Sequence, residues 1–271
     1  MESPAPPEDT RQRIGLAVGL SILLPGLGHL VVRRRAWCLF WFLLCQLTLF
    51  AGLLLAGATQ FDYGRWFGLG AVRGIFVVLP EVANFLGTQV AAQILHSVEN
   101  GGADPTWIPY RDLGHLLSGA SGVLACFAAA HAAGQVLAAD LPRPGRRNPG
   151  TAALASLLLP GLGHWLVGRR FKAVLLGGTV LGLFLLGMAL GGFADFDRQR
   201  HPYYWAGQMF GGGAFWLVAL AAAGARFTEV LRFMDAGLLF TTSAGLFNVI
   251  LALDAWRRAE DDWLAAGEEE V

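Results

Sequence analysis

The amino-acid sequence predicts an all-α fold, a polytopic helical membrane protein made of two tandem repeats of about four hydrophobic segments each. Three observations carry this reading. At 55% hydrophobic and 15% charged residues, with a mean hydropathy of +0.50, the 271-residue chain has too few charges to coat a soluble globule. Ala36 to Ala58 and Val174 to Phe193 contain no charged residue, and each reaches the roughly 20 residues that cross about 30 Å of hydrocarbon. Finally, SILLPGLGHLVVRRR at 21–35 returns as SLLLPGLGHWLVGRR at 156–170. The offset, 164 − 29 = 135, also carries Gly52 onto Gly187 and Asp62 onto Asp197. Further on, Asp112, Gly114, Gly122 and Ala132 match Asp235, Gly237, Gly245 and Ala255 at 235 − 112 = 123. The first copy therefore holds extra residues between its halves, 135 − 123 = 12 of them, and internal repetition of this kind decides architecture before any local pattern does.

The chain divides in order. Residues 1–13 form a polar tail with acidic residues and prolines, without the basic start and small-residue cleavage site of a secretory signal. The first membrane repeat, 14–139, holds apolar segments near 14–32, 36–58, 67–95 and 113–137. The linker 140–150, DLPRPGRRNPG, has three prolines and two glycines, so a helix cannot continue through it. The second repeat, 151–256, holds segments near 151–167, 174–193, 205–225 and 236–256. Residues 257–271 are a charged tail, expected to be helical, cytoplasmic and held near the headgroups by Trp256 and Trp263.

The first segment of each repeat is open to two readings. Eleven residues, Ile14 to Leu24, precede Pro25, about half a bilayer as helix. A kinked span would give about eight crossings; a re-entrant hairpin would give six crossings plus two re-entrant segments. The kinked span is favoured because re-entrant loops are the rarer device. Counting Lys and Arg outside the spans does not choose, with ten on one face and nine on the other in both cases.

The Pro-Gly-Leu-Gly-His signature followed by a basic turn resembles a PGLGHxxxGRRxKA motif found in uncharacterised bacterial multi-pass membrane proteins, related to the small two-helix transmembrane domain. The second half is the closer match, with Pro160, Gly161, Leu162, Gly163, His164, Gly168, Arg169, Arg170 and Lys172. The first half departs from the pattern, with Arg33 at the glycine position and Trp37 at the lysine position. The resemblance implies a multi-pass fold and no known reaction.

Several side chains are candidates for more than packing. His29, His164, Arg34, Arg35, Arg169 and Arg170 sit where a broken helix meets a basic turn, and they could contact lipid headgroups. Turn chemistry and anchoring explain the same residues without any further role. Arg73, Glu81, Asn84, His131, Asn248 and Asp254 are polar residues within apolar segments, where charges are costly and invite a functional reading. For Arg73, Glu81 and Asn84 an interfacial helix with solvated charges is an equal alternative, and Arg73 and Glu81 lie too far apart along a helix to pair. His131 near Asp254 is a further contact to look for. Gly114, Ser118 and Gly122, with Gly237, Thr241 and Gly245, form stripes of small residues at a spacing of four that suit close helix packing.

Cys38, Cys45 and Cys126 lie inside apolar segments and read as small hydrophobes, and two histidines make a poor metal set, so no metal or other cofactor is expected. A formal net charge of zero argues against a nucleic-acid partner. No HExxH, GxSxG or phosphate-loop pattern is present, so no catalytic residue is assigned. Arginine-rich, lysine-poor usage suggests a bacterium with a GC-rich genome. The resulting expectation is a non-enzymatic protein of the bacterial inner membrane, a structural or accessory component of the cell envelope, with membrane lipids and other envelope proteins as partners. The alternatives are a small-solute or ion transporter, which would need the intramembrane polar residues to converge on one cavity, and an intramembrane or lipid-modifying enzyme.

Overall fold

A computed structural model describes residues 5–56, 80–88, 90, 91, 94, 110–143, 145–198, 200–223 and 231–266. The described residues are helical, without strands. They form α1 (Glu8–Leu23), α2 (Arg35–Ala56), α3 (Arg111–Asp140), α4 (Pro149–Leu158), α5 (Leu162–Leu166), α6 (Arg170–Leu190), α7 (Pro202–Met209), α8 (Gly213–Ala221) and α9 (Met234–Ala265). Short 3₁₀ helices cover Leu27–Val32 and Pro80–Asn84. Four helices, α2, α3, α6 and α9, are long and apolar enough to cross a membrane.

These four form two antiparallel pairs. Gly52 of α2 lies against Gly114 and Ser118 near the start of α3, while Trp41 near the start of α2 bonds His131 towards the end of α3. Gly187 of α6 meets Gly237 and Thr241 of α9 in the same way. At each of these sites a Cβ on the glycine would fall within 3 Å of the partner's backbone, so the small-residue stripe is the surface on which backbones meet. Gly122 is closed by the Pro80–Glu81 peptide and Gly245 by the Gly207–Gln208 peptide.

The segments expected as kinked spans turn back instead. Pro25 has no N–H to offer the carbonyl of Ser21, and Gly26 follows in the left-handed region, at φ 88°, which a residue with a Cβ adopts with strain. The chain reverses, so Gly28 packs on Ala17 and Ser21, and Arg13 of α1 donates to the Val31 carbonyl at 3.3 Å. Pro160 and Gly161, at φ 84°, do the same between α4 and α5, where Gly163 packs on Ala152 and Ser156. Residues 205–225, expected as one span, also break. After α7, Gly211 and Gly212 turn the chain, and α8 runs back so that the indole of Trp216 donates to the Met209 carbonyl at 2.9 Å.

In the second half the two hairpins meet. Gly212 and Gly213 at the α7–α8 turn lie on the carbonyls of Leu157 and Leu158 at the tip of α4. The hairpins enter from opposite ends: α4–α5 returns to the basic turn at Arg169, and α8 returns to the level of Phe193 to Arg198. The space between the long helices is filled by Trp205, Met209, Val123 and Phe127 in one cluster, and by Phe184, Met188 and Phe215 in another.

Candidate functional site

The polar side chains gather at three levels. At the end that carries the Pro-Gly-Leu-Gly-His turns, each motif histidine is fully buried and bonds one residue of the long helix behind it. His29 Nε2 lies 2.8 Å from His131 Nδ1, and His164 Nε2 lies 2.7 Å from Asp254 Oδ2. His131 and Asp254 are related by the offset of 123 read in the sequence, 254 − 131, so they occupy matching places and do not meet. The expected His131–Asp254 contact is corrected accordingly. Each pair has a third member at matching positions 37 and 172. Lys172 pairs with Asp254, whereas Trp37 packs edge-on to the His131 ring with centroids 4.7 Å apart. Trp41 adds an indole N–H to His131 Nδ1 at 3.0 Å.

The basic turns differ as well. Arg169 reaches Asp262 of α9 at 3.4 Å, and Arg170 lies over the Trp165 ring. Arg33, Arg34 and Arg35 are exposed. Arg33, at φ 57°, adopts the left-handed conformation that Gly168 adopts at φ 79°, which explains the glycine of the motif and makes Arg33 a strained substitute for it.

At mid-depth, Asn248 is fully buried and its Nδ2 reaches the carbonyls of Ser156 at 3.1 Å, Phe210 at 3.0 Å and Gly211 at 3.3 Å. Proline at 160 removes the donor that Ser156 would have had inside a helix, and the amide supplies it. In the first half, Gln46 of α2 donates to Asn84 Oδ1 at 2.8 Å, and both are buried.

Towards the opposite end, Glu81 forms a buried ion pair with Arg198, which also donates to Ser118 Oγ at 3.0 Å and lies over the Trp205 ring at 4.7 Å. The side chains of Glu81 and Arg198 are 1% and 3% exposed, so the reading of a solvated interfacial helix fails for Glu81, and for Asn84 at 0%. Arg73 lies outside the described residues. Beside this pair, Asp112, His115, Asp197, Arg198 and Trp205 line a small cleft that opens at that end. Asp195, three residues before Arg198, is fully buried, and burial pushes its carboxyl up to about 7.

The intramembrane candidates therefore divide: Glu81, Asn84 and Asn248 each take a different partner, and His131 and Asp254 lie in separate clusters at the other end. Sequence reasoning missed Arg198, Asp195, Gln46 and Trp41. The signal for the first two was four charges inside FADFDRQRH, a connection too short to keep all of its charges in water. Among the described residues, no group of three or more His, Cys, Asp or Glu side chains is arranged to hold a metal ion, and Cys38, Cys45 and Cys126 are free thiols.

Comparison with known proteins adds one likeness. Residues 151–263, less than half of the chain, match a family described as a family of unknown function, DUF6677. No curated protein and no solved structure matches the chain. The second half, with the His164–Asp254–Lys172 cluster, the Asn248 tie and α7 through α9, is thus similar to a family whose activity is itself unassigned.

Proposed function

We propose that the protein is a non-enzymatic structural or accessory component of the bacterial inner membrane, built from two fused copies of one unit. In each copy, 14–139 and 151–256, two helices cross the bilayer and shorter re-entrant segments pack between them, joined by the 140–150 linker. The matched glycine contacts of the two halves, Gly28 with Gly163 and Gly52 with Gly187, support the repeat.

The observation that supports the functional reading is that Glu81, Asn84, His164 and Asn248 each bond a different neighbour and do not converge on one cavity. Glu81 pairs with Arg198, Gln46 donates to Asn84, His164 bonds Asp254, and Asn248 holds backbone carbonyls. A transporter of the kind built from broken helices needs such groups around one cavity at mid-depth. A lipid-modifying enzyme would need His29 or His164 on an open cleft, and both are fully buried.

Orientation follows from charge. Arg33 to Arg35, Arg169, Arg170, Lys172, Arg257 and Arg258 lie at the motif end, against Arg111, Arg200 and Arg232 at the other. Basic residues favour the cytoplasmic side, so the motif turns, the linker and the C-terminal tail face the cytoplasm, where the turns meet lipid headgroups and other envelope proteins.

Two measurements test this. Single cysteines placed at 34, 147 and 258 in a cysteine-free background are expected to be shielded from an impermeant thiol reagent added outside intact cells, and one at 200 to be labelled. In liposomes, the purified protein is expected to move no protons, sodium or small solutes faster than protein-free vesicles. Saturable flux would overturn the accessory reading in favour of transport, and labelling at 34 would reverse the orientation.

A further inference from the structure

The connection from α6 to α7 sends two opposite charges to opposite sides. Arg198 reaches into the first half to Glu81 and Ser118. Asp195 turns back into the second half, where its carboxylate occupies the space that a Cβ on Gly191 would fill and lies beside Gly237. Neither carboxylate oxygen has a hydrogen-bond partner among the described residues, and the residue is fully buried. An isolated buried carboxylate is strongly disfavoured unless something positive compensates it.

Its surroundings offer further oxygens rather than donors. Gln208 Nε2 donates to Thr241 Oγ1 at 2.7 Å and to the Asp195 carbonyl at 3.3 Å. The Thr241 hydroxyl lies 2.9 Å from the Gly237 carbonyl and 3.1 Å from that of Leu238, and in giving its proton to either it accepts from Gln208. With the amide in this orientation, Gln208 Oε1 is left as a third buried oxygen without a donor among the described residues. The Gly187 carbonyl, which accepts from the Gly191 N–H at 3.0 Å, adds a backbone oxygen beside the carboxylate. The point that a Cβ on Gly237 would occupy lies 2.6 Å from Asp195 Oδ2 and 2.8 Å from the Gly187 oxygen.

The matching place in the first half is built differently. There Ala56 stands where the second half has Gly191, and its methyl fills the room, 2.7 Å from the point that a Cβ on Gly114 would take. Glu81 and Ser118 stand in place of Gln208 and Thr241, and the guanidinium of Arg198 supplies the positive charge. The second half has the carboxylate, the amide oxygen and the backbone carbonyl, with no cationic side chain on them among the described residues.

We infer that Asp195, Gln208 Oε1 and the Gly187 carbonyl bind one small monovalent cation, of the size of sodium. A hard cation takes oxygen ligands, and a single carboxylate among neutral oxygens balances one charge; a calcium site draws on several carboxylates. Ala194 and Phe196, the sequence neighbours of Asp195, line the cleft at that end, and Asp195 itself is fully buried. The ion ties the end of α6 to the first turns of α9, a role that goes beyond the accessory reading and does not require transport.

The test uses the full chain purified in detergent at pH 8, with ionic strength held constant by N-methylglucamine chloride. Sodium chloride is expected to raise the melting temperature saturably, by about 5 °C over a hundredfold range above half-saturation, with choline giving no rise. In Asp195→Asn the rise is lost, and Gly191→Ala, which puts a methyl where the carboxylate sits, loses it as well. Should either variant fail to fold, radioactive sodium retained by the unaltered protein supplies the second reading: about one ion per chain, displaced by unlabelled sodium and not by choline. No sodium-dependent rise together with no retained ion overturns the inference. So does an equal rise in folded Asp195→Asn, or a melting temperature that follows pH and ignores sodium, since the occupant is then a proton.

Discussion

Arg198 pairs with Glu81 across 117 residues of sequence, and both side chains are almost wholly removed from solvent. The pair joins a loop of the second half to the 3₁₀ turn of the first, so it acts as a rivet between the two halves as well as a neutralised charge. A buried ion pair of this kind adds little over a well-packed apolar pair, but removing one partner strands the other.

Glu81→Gln is therefore expected to destabilise the protein by about 3 to 5 kcal/mol. The double variant Glu81→Leu with Arg198→Met should recover most of that loss. Thermal unfolding of the three proteins in one detergent checks it, and additive losses in the double variant would mean that the two residues are not coupled.

Helix approach makes a second prediction. Gly122→Leu drives a side chain into the Pro80 carbonyl and Gly245→Leu into that of Gly207, whereas Gly178 is exposed on α6 with nothing within 4 Å of a Cβ. The first two variants should lose yield and stability, by more than about 3 kcal/mol, and Gly178→Leu should be within about 0.5 kcal/mol of the parent. Comparable extraction yields and melting temperatures for all three would refute the packing role.

Asn248 predicts an unusual order of severity. Asn248→Ala leaves the carbonyls of Ser156, Phe210 and Gly211 without their donor, at a cost of about 1 to 3 kcal/mol for each group that stays dry. Asn248→Asp should be worse, because a carboxylate would face three acceptors. Melting temperatures rank them, with protease cleavage at 211–213 reporting whether the hairpin opens. An aspartate variant more stable than the alanine one would contradict this geometry.

The two motif clusters can be exchanged. His131→Asp alone places a carboxylate beside His29 and two tryptophan rings without a cation, and should destabilise; adding Trp37→Lys rebuilds the His164–Asp254–Lys172 arrangement in the first half. The expected coupling is about 1 to 3 kcal/mol in favour of the double variant. A double-mutant cycle by thermal unfolding measures it, and zero coupling would mean that position 37 does not complete the cluster.

How much of this was legible in the sequence depends on distance along the chain. The turns were, since Pro25 with Gly26 and Pro160 with Gly161 announce a break through chemistry confined to two residues. Crossing and re-entry were not told apart, because hydropathy reports that about 20 residues prefer lipid and says nothing about reversal at mid-depth. The three glycines at 211–213 were the available sign that 205–225 turns back. Partners were beyond reach: Arg198 lies in a connection and its acid is 117 residues away, and the partner of each motif histidine is set by which helix stands behind it. Matching offsets did place His131 and Asp254 in register, but register tells that two residues are equivalent and not that each serves its own half.

The position of Asn248 has a consequence for synthesis. It lies in α9, which leaves the ribosome after both hairpins of the second half, yet the carbonyls it holds belong to the tips of those hairpins, at Ser156 and at Phe210 and Gly211. Those tips are buried in the finished molecule but have no donor while the chain is still growing, so neither hairpin of the second half can settle until residue 248 arrives. A nascent chain stalled before that point carries uncapped backbone towards the middle of the bilayer, where water is not available to relieve it. The second half is consequently finished in a single late step, and any truncation that removes α9 takes both hairpins with it.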